Sequence, residues 1–547
     1  MYLFKKKGGT HMNFDPMFQP YPANRYCVTA RNGMVATGSN LATAAGLEIL
    51  RKGGNAIDAA VATAAALTVV EPTANGLGSD SFALVWVKDR LYGLNSSGYS
   101  PRHISLEAVK AQGNEKMPTY GWTPVMVPGA VKAWPTLLKR FGKLSLKEVL
   151  EPAIRYAEEG YPLSPMLAFM WKKSVDKYHT MFDGKPEYAE WFRTFTNNGE
   201  AYNFGDIVKL PNHARTLKLI AETDGDAFYK GEIADALVKQ SQRDGGYFCK
   251  EDLAEYESTW VDPIHVNYRG YDVWEIPPNG QGITALMALN ILKEFAFTSK
   301  ESVNTYHKQL EAIKIAFADA QHYVTDPTKM EIDYHDLLKP EYGAKRAKEI
   351  TDTAGLPTFD TPPKSGTVYL CTADGEGNMV SYIQSNYMGF GSGIVVEGYG
   401  VGLQNRGADF SLDPTAANAL APHKKSYHTI IPGFLTKDGK AVGPFGVMGG
   451  YMQPQGHVQV VMNMIDFHMN PQQALDAPRW QWMKDRTVTV EHSFSNQIAQ
   501  QLALRGHDIS HTLLPSSFGR GQIIIRLDNG VLVGGTESRT DSNIACF

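Results

Sequence analysis

The chain has 547 residues, 43% hydrophobic and 20% charged, the balance of an ordinary soluble globular protein with room for a large core. A formal net charge of −4 excludes a global basic field for nucleic acid or an anionic membrane surface, and no run of 18 apolar residues offers a membrane span. Four cysteines, Cys27, Cys249, Cys371 and Cys546, are too scattered for a disulfide framework or a CxxC site, which fits a reducing compartment.

The start, MYLFKKKGGTHMNFDPMF, carries a short basic run and no apolar stretch of signal-peptide length, so a cytoplasmic location is expected. Residues 41–70 contain two Ala-rich apolar runs broken at Gly53-Gly54, with Asn55 placed to cap the second helix. NGLGSDSFALVWV then turns towards strand. Residues 124–160 read as helical after the turn Val127-Pro128-Gly129, whereas 173–212 read as irregular. IHVNYRGYDVWEIPPNGQGITALMALNIL reads as strand, strand, turn, helix, and 301–325 as a helix ending before Asp326-Pro327.

Near residue 351 the texture changes. TDTAGLPTFDTPPKSG is a Pro/Gly/Thr-rich linker, expected to be exposed. After it come short β-like runs, TVYLCTAD, GNMVSYIQ, HTIIPGFLT, TVTVE, QIIIRL and VLVGG, with helical patterns near 456–468 and 495–505. A linker that runs straight into a strand beginning with Thr367 presents the preceding peptide bond to local chemistry. Gly366 lets a side chain approach its carbonyl closely. Attack by the Thr367 hydroxyl on that carbonyl, then ester hydrolysis, would leave Thr367 as a new N-terminus. Its α-amine, with a reference pKa near 8, could serve as base for its own hydroxyl. From these residues alone, a buried strand that begins with an ordinary β-branched residue is the plainer reading.

The wider pattern reverses that preference. RNGMVAT, GLEILRKGGNAIDAAVA, NGLGSDSF, VPGAVKAW, EPAIRYAEEGYP and YRGYDVWEIPPNGQG precede residue 351, and GTVYLCTADGEGN, GFGSGIVV, LQNRGADFS, VMGG, NPQQALDAPRW and GGTESRT follow it. In this order and spacing they resemble the γ-glutamyltranspeptidase (glutathione hydrolase proenzyme) family over nearly the whole chain, closest to its bacterial glutathione-hydrolase-like and cephalosporin-acylase branch. The resemblance implies an α+β fold, the N-terminal-nucleophile (Ntn) hydrolase αββα sandwich, made by one intertwined domain. It implies a proenzyme that cuts itself between Gly366 and Thr367 into a large subunit, 1–366, and a small one, 367–547. It places the nucleophile at Thr367, its hydroxyl partner at Ser385 and the oxyanion-hole pair at Gly449-Gly450. A strand serine and a plain glycine turn are the bland alternatives at the last two places.

Departures from the family pattern concern the substrate. Where members carry an arginine for the substrate α-carboxylate, this chain has Ser97, which cannot form a bidentate pair. Asp409 keeps the carboxylate that would bind an ammonium, but Arg406 replaces Glu or Gln beside it. Tyr387 replaces an Asn, and His428-Thr429 a Ser-Ser pair. Arg406, helped by His428 and Thr429, is therefore expected to bind a substrate carboxylate, against the alternative of a structural Arg406–Asp409 ion pair. The expected activity is hydrolysis of γ-glutamyl or similar carboxylated amides, with a glutaryl-type (cephalosporin) acylase or other small amide hydrolase, a transpeptidase or a non-catalytic unprocessed scaffold relative as alternatives. No cofactor, metal, nucleic acid or membrane is expected as a partner; a homodimer is left open. His423 and His428 lack a third metal ligand, GFGSG lacks nucleotide-loop spacing, Asp80 and Asp319 read as structural acids, and Met448 and Met452 as pocket wall or core.

Overall fold

The computed structural model describes residues 25–356 and 366–547. The linker's 357–365 lie outside the described residues, so the expectation of an exposed linker falls largely on chain that is not described.

Asn55 accepts the N–H groups of Ile57 (2.9 Å) and Asp58 (3.1 Å), while Asp58 accepts the Asn55 N–H, forming a capping box. Such a cap is worth about 1 kcal/mol, and it starts the helix Ala56–Val70 one turn of chain after the helix Asn40–Arg51 ends. Every residue of Ala56–Val70 is buried. Small side chains let its neighbours approach: a Cβ added at Gly46 would lie 2.3 Å from Thr63 Oγ1, so the two helices cross at backbone distance.

These helices cover one face of a seven-stranded antiparallel sheet. Its order is Asn543–Cys546, Gly33–Thr37, Gly366–Asp374, Met379–Tyr387, Asp80–Val87, Arg90–Ser96, Thr259–Val261. A second seven-stranded antiparallel sheet runs Val28–Ala30, Leu532–Thr536, Arg520–Arg526, Lys440–Met448, Gly433–Lys437, Tyr271–Glu275, Ile264–Tyr268. Gly282–Leu292, Val303–Tyr323 and Met452–Ile465 cover its outer face, joining it in a shared core. Along Gly366–Asp374 the side chains alternate. Val368 and Leu370 enter the core with the helices, and Tyr369, Cys371 and Ala373 enter the layer between the sheets with Phe434, Met448 and Ile524. The result is the expected αββα sandwich. Strands from before and after residue 366 interleave in both sheets, so the two segments are one folding unit.

Two expectations are corrected. Residues 173–212 are not irregular: they include the end of the helix Pro165–Phe182 and all of Ala189–Phe195. Trp171, Val175, Tyr178 and Phe182 form a single helical stripe into the core, hidden in the sequence by the polar residues between them. HTIIPGFLT forms strand only from Gly433 to Lys437; His428–Pro432 is an irregular segment, and it reaches the site.

Candidate active site

The register between the strands Gly366–Asp374 and Met379–Tyr387 slips by one residue, from Gly366 opposite Tyr387 to Val368 opposite Gln384. Thr367 therefore sits at a β-bulge, a device that re-aims a side chain at the end of a ladder. Thr367 is fully buried, and its Oγ1 lies 3.0 Å from Ser385 Oγ. The Ser385 hydroxyl donates to the Gly366 carbonyl at 2.8 Å and accepts the Tyr387 N–H at 2.8 Å. With its one proton on that carbonyl, Ser385 is left to accept from Thr367. The chain Thr367 O–H to Ser385 O–H to Gly366 C=O withdraws a proton from the attacking oxygen while polarising the carbonyl. An N-to-O acyl shift needs both.

Gly449 and Gly450 stand where the strand Lys440–Met448 turns into the helix Met452–Ile465, with φ of +142° and +62°. A Cβ at Gly449 would lie 3.1 Å from Gly519 Cα, so both space and backbone favour glycine there. Gln281 Nε2 donates to the Gly450 carbonyl (2.9 Å) and the Thr429 carbonyl (2.6 Å), fixing the turn against the His428–Pro432 segment. Amides at such a helix entrance suit an oxyanion. A cavity of about 560 Å³ is lined by both Gly366 and Gly449, with Met448 and Tyr451 in its wall. Met452 is buried core.

The short helical turn Arg406–Asp409 is joined to the end of the strand Met379–Tyr387, where the Asn405 N–H donates to the Asn386 carbonyl at 3.1 Å. The buried Arg406 donates from Nη1 to Thr429 Oγ1 (2.8 Å) and to Asp409 Oδ2 (3.3 Å), and its guanidinium stacks 4.0 Å from the Tyr387 ring centroid. Its Nε and Nη2 are buried with no hydrogen-bond partner among the described residues. Asp409 is the opposite case. Its Oδ1 accepts from Tyr387 (2.5 Å) and Tyr451 (3.2 Å) and its Oδ2 from Arg406. Burial raises its carboxyl above the usual range, against the pull of Arg406 and the tyrosine hydroxyls.

The other expected pocket residues are placed differently. His428 accepts the Ile430 N–H at Nδ1 (3.4 Å), which leaves the proton on Nε2 to donate to Asp80 Oδ2 at 3.0 Å. Burial, then the charges of Arg406 and Lys425, keep His428 neutral, and burial pushes the Asp80 carboxyl up to about 7. The pair is thus a hydrogen bond from a neutral imidazole, not an ion pair. Ser97 donates to Asn95 Oδ1 (2.8 Å) and accepts from Asn279 (3.2 Å). The structure therefore brings Tyr387, Arg406, Asp409 and Thr429 into one cluster. His428 joins Asp80 instead, and Ser97 bonds to two asparagines. The expected help of His428 to Arg406 is corrected to that extent, and Tyr387 supports Arg406 and Asp409.

Three residues escaped sequence reasoning. Asp80, taken as an isolated structural acid, is the partner of His428. Tyr451 follows the glycine pair and reaches Asp409. Lys425, buried and pushed down to about 8 by that burial, donates to Asn95 Oδ1 at 3.2 Å. The NGLGSD run and the residue beside Gly449-Gly450 were available signals for the first two; Lys425 had none. Asp319 is structural, held by Arg346 at 3.0 and 3.1 Å and by Tyr342 at 3.0 Å. His423 stacks on Tyr99, 4.3 Å between centroids.

The model of the family described as gamma-glutamyltranspeptidase matches residues 42–547. The chain belongs to the gamma-glutamyltranspeptidase family. Among curated relatives, the glutathione hydrolase-like YwrD proenzyme of Bacillus subtilis is 37% identical over 522 residues, covering 93% of this chain and 97% of the relative. The oxamate amidohydrolase proenzyme of Klebsiella pneumoniae is 31% identical over 529 residues, with 94% and 98% covered. Among solved structures, the cephalosporin acylase of Bacillus halodurans superposes with a TM-score of 0.94 at 57% identity, covering 98% of this chain and 99% of that one. As a member of this family the chain is an autoprocessed Ntn amidohydrolase with the αββα fold. Among the described residues no helix is long and apolar enough to cross a membrane.

Proposed function

We propose that this gamma-glutamyltranspeptidase-family hydrolase cuts itself between Gly366 and Thr367 and then uses Thr367 to hydrolyse amides of short dicarboxylic acids. The preferred acyl group carries a free carboxylate and no α-ammonium, as glutaryl does. In the mature enzyme the freed α-amine of Thr367 acts as base for its hydroxyl, Ser385 holds that hydroxyl, and the Gly449 and Gly450 amides receive the oxyanion. Water then releases the acid from the ester.

The observation that carries the substrate reading is the contrast between Arg406 and Asp409. The Arg406 fork offers two buried, unpartnered N–H donors, Nε and Nη2, a geometry that matches a carboxylate. The Asp409 carboxylate, which an ammonium would need, is already engaged by Arg406, Tyr387 and Tyr451. A buried guanidinium 3.3 Å from that carboxylate also repels a second cation. Oxamate, for which one relative is named, is an amide with a free carboxylate and no ammonium, which supports an acyl group of this kind. γ-Glutamyl transfer is the second reading, favoured by the persistence of Asp409 itself. The two are separated by kcat/KM for glutaryl-p-nitroanilide against γ-glutamyl-p-nitroanilide. The proposal expects the glutaryl substrate to be favoured at least about tenfold, since an unpaired buried ammonium costs more than 1.4 kcal/mol. A preference for γ-glutamyl overturns it.

A further inference from the structure

Away from this site, three metal-ligating side chains converge inside the molecule. His307 and Glu311 lie four residues apart on one face of the helix Val303–Tyr323, and His507 comes from the turn before the strand Asp508–Thr512. All three are buried, and one donor atom from each lies within 4.8 Å of the others. His307 Nδ1 and His507 Nε2 are 2.9 Å apart, and His507 Nε2 is 3.9 Å from Glu311 Oε1.

The surroundings already orient these atoms. His307 Nε2 must carry its proton, because it donates to the Thr351 carbonyl at 2.8 Å; Nδ1 is left with its lone pair facing inwards. Glu311 Oε2 accepts the Gly355 N–H at 2.9 Å, leaving Oε1 on the side of the imidazoles. Burial lowers the pKa of His307 and pushes His507 down to about 3, with Lys314, His307, Arg505 and Arg486 adding to the effect on His507. Both rings are therefore neutral at pH 7, the form that ligates metals. The opposing charge in contact with a ligand atom is Lys314, whose Nζ lies 2.8 Å from Glu311 Oε1; Arg505, Arg486 and Lys308 add positive charge around the site. Lys314 has a second acceptor, the Gly355 carbonyl at 3.3 Å.

We propose that His307, Glu311 and His507 form a divalent-cation site, suited to Zn²⁺, which joins the two segments of the chain on either side of residue 366. Two imidazoles and one carboxylate, with a water in the fourth position, form a known tetrahedral Zn²⁺ donor set. Two nitrogens on one tetrahedral Zn²⁺ stand about 3.3 Å apart, so the rings part by about 0.4 Å as the cation replaces the shared proton. That proton moves from Nε2 of His507 to its Nδ1, a buried atom with no partner in either tautomer, and the ring stays neutral. Lys314 shifts onto the Gly355 carbonyl. Occupancy would tie the helix Val303–Tyr323 and the segment Thr351–Gly355 to the strand Asp508–Thr512.

The test uses full-length protein stripped with a chelator, dialysed and titrated with ZnCl₂ in a calorimeter, with metal content measured by mass spectrometry. One equivalent of Zn²⁺ per chain is expected, together with a melting temperature that rises with free Zn²⁺. His507→Gln should weaken binding by about 100-fold or more, since even groups that only orient a metal's ligands are worth about 10- to 100-fold, and Lys314→Met should tighten it by removing the competing cation. Absence of one-equivalent binding overturns the proposal, as does binding that His507→Gln leaves unchanged. Should His507→Gln fail to fold, Lys314→Met decides: tighter binding supports the site and unchanged affinity overturns it.

Discussion

Replacing Arg406 with methionine tests the substrate reading at its narrowest point. Methionine keeps much of the apolar stem and removes the fork. Nε and Nη2, unpartnered and buried, would each give a substrate carboxylate a charge-assisted bond. Such bonds are worth about 1.5–3 kcal/mol each, so losing two costs about 3–6 kcal/mol, or about two to four powers of ten in kcat/KM. The carboxylate is held alike in ground and transition states, so the loss should fall mainly on KM. Folding should survive. Without Arg406 the burial that already raises the Asp409 carboxyl is opposed only by the Tyr387 and Tyr451 hydroxyls, so the carboxyl rises further towards its neutral form while keeping both tyrosines as partners. The assay is steady-state release of p-nitroaniline from the glutaryl substrate, run beside a denaturing gel that checks self-cleavage. Arg406→Met that cleaves itself normally and retains kcat/KM within threefold would refute the reasoning and leave Arg406 as Asp409's ion-pair partner alone.

Other outcomes follow from the same geometry. Ser385→Ala removes the hydroxyl that contacts both Thr367 Oγ1 and the Gly366 carbonyl; at about 1–3 kcal/mol for the lost bonds, self-cleavage followed on gels should slow by about 10- to 100-fold. Gly449→Ala places a Cβ 3.1 Å from Gly519 Cα at a φ of +142°, so it should shift the amides and lower kcat by about 10²-fold or more, with a lowered melting temperature. Asp80 links stability to pH. Its folded pKa of about 7 stands above the ordinary 3.8, so between those values the folded chain keeps a proton that the unfolded chain has released. Its contribution is full below about pH 4, declines as pH rises towards 7 and is level above. The melting temperature of the native chain relative to Asp80→Asn should therefore fall from pH 4 to pH 7; a constant difference would contradict the assignment.

Much of this structure was legible because local rules and global fold agree. Asn55 before an Ala-rich run announced a capped, buried helix, and Thr367 after glycine announced an interior strand of a sheet. Legibility failed where the partner is remote. Asp80 looks isolated in its apolar stretch because His428 is 348 residues away. His428–Pro432 carries enough β-branched residues to read as strand, yet its backbone is spent elsewhere: the His428 N–H on the Asn279 carbonyl and the His428 carbonyl on the Gln281 N–H. Arg406 and Asp409, three residues apart, could be read as a salt bridge or as a binding pair. Only packing showed both at once, with Nη1 bound and Nε and Nη2 buried without a hydrogen-bond partner among the described residues.

The account rests on Thr367 as both cleavage point and nucleophile, and one measurement addresses it most directly. Purified protein run on a denaturing gel should give two bands, and N-terminal sequencing of the smaller should begin Thr-Val-Tyr-Leu, while Thr367→Ala should remain a single inactive chain. A small chain that begins at another residue, or a Thr367→Ala protein that still divides or still hydrolyses amides, would contradict the account.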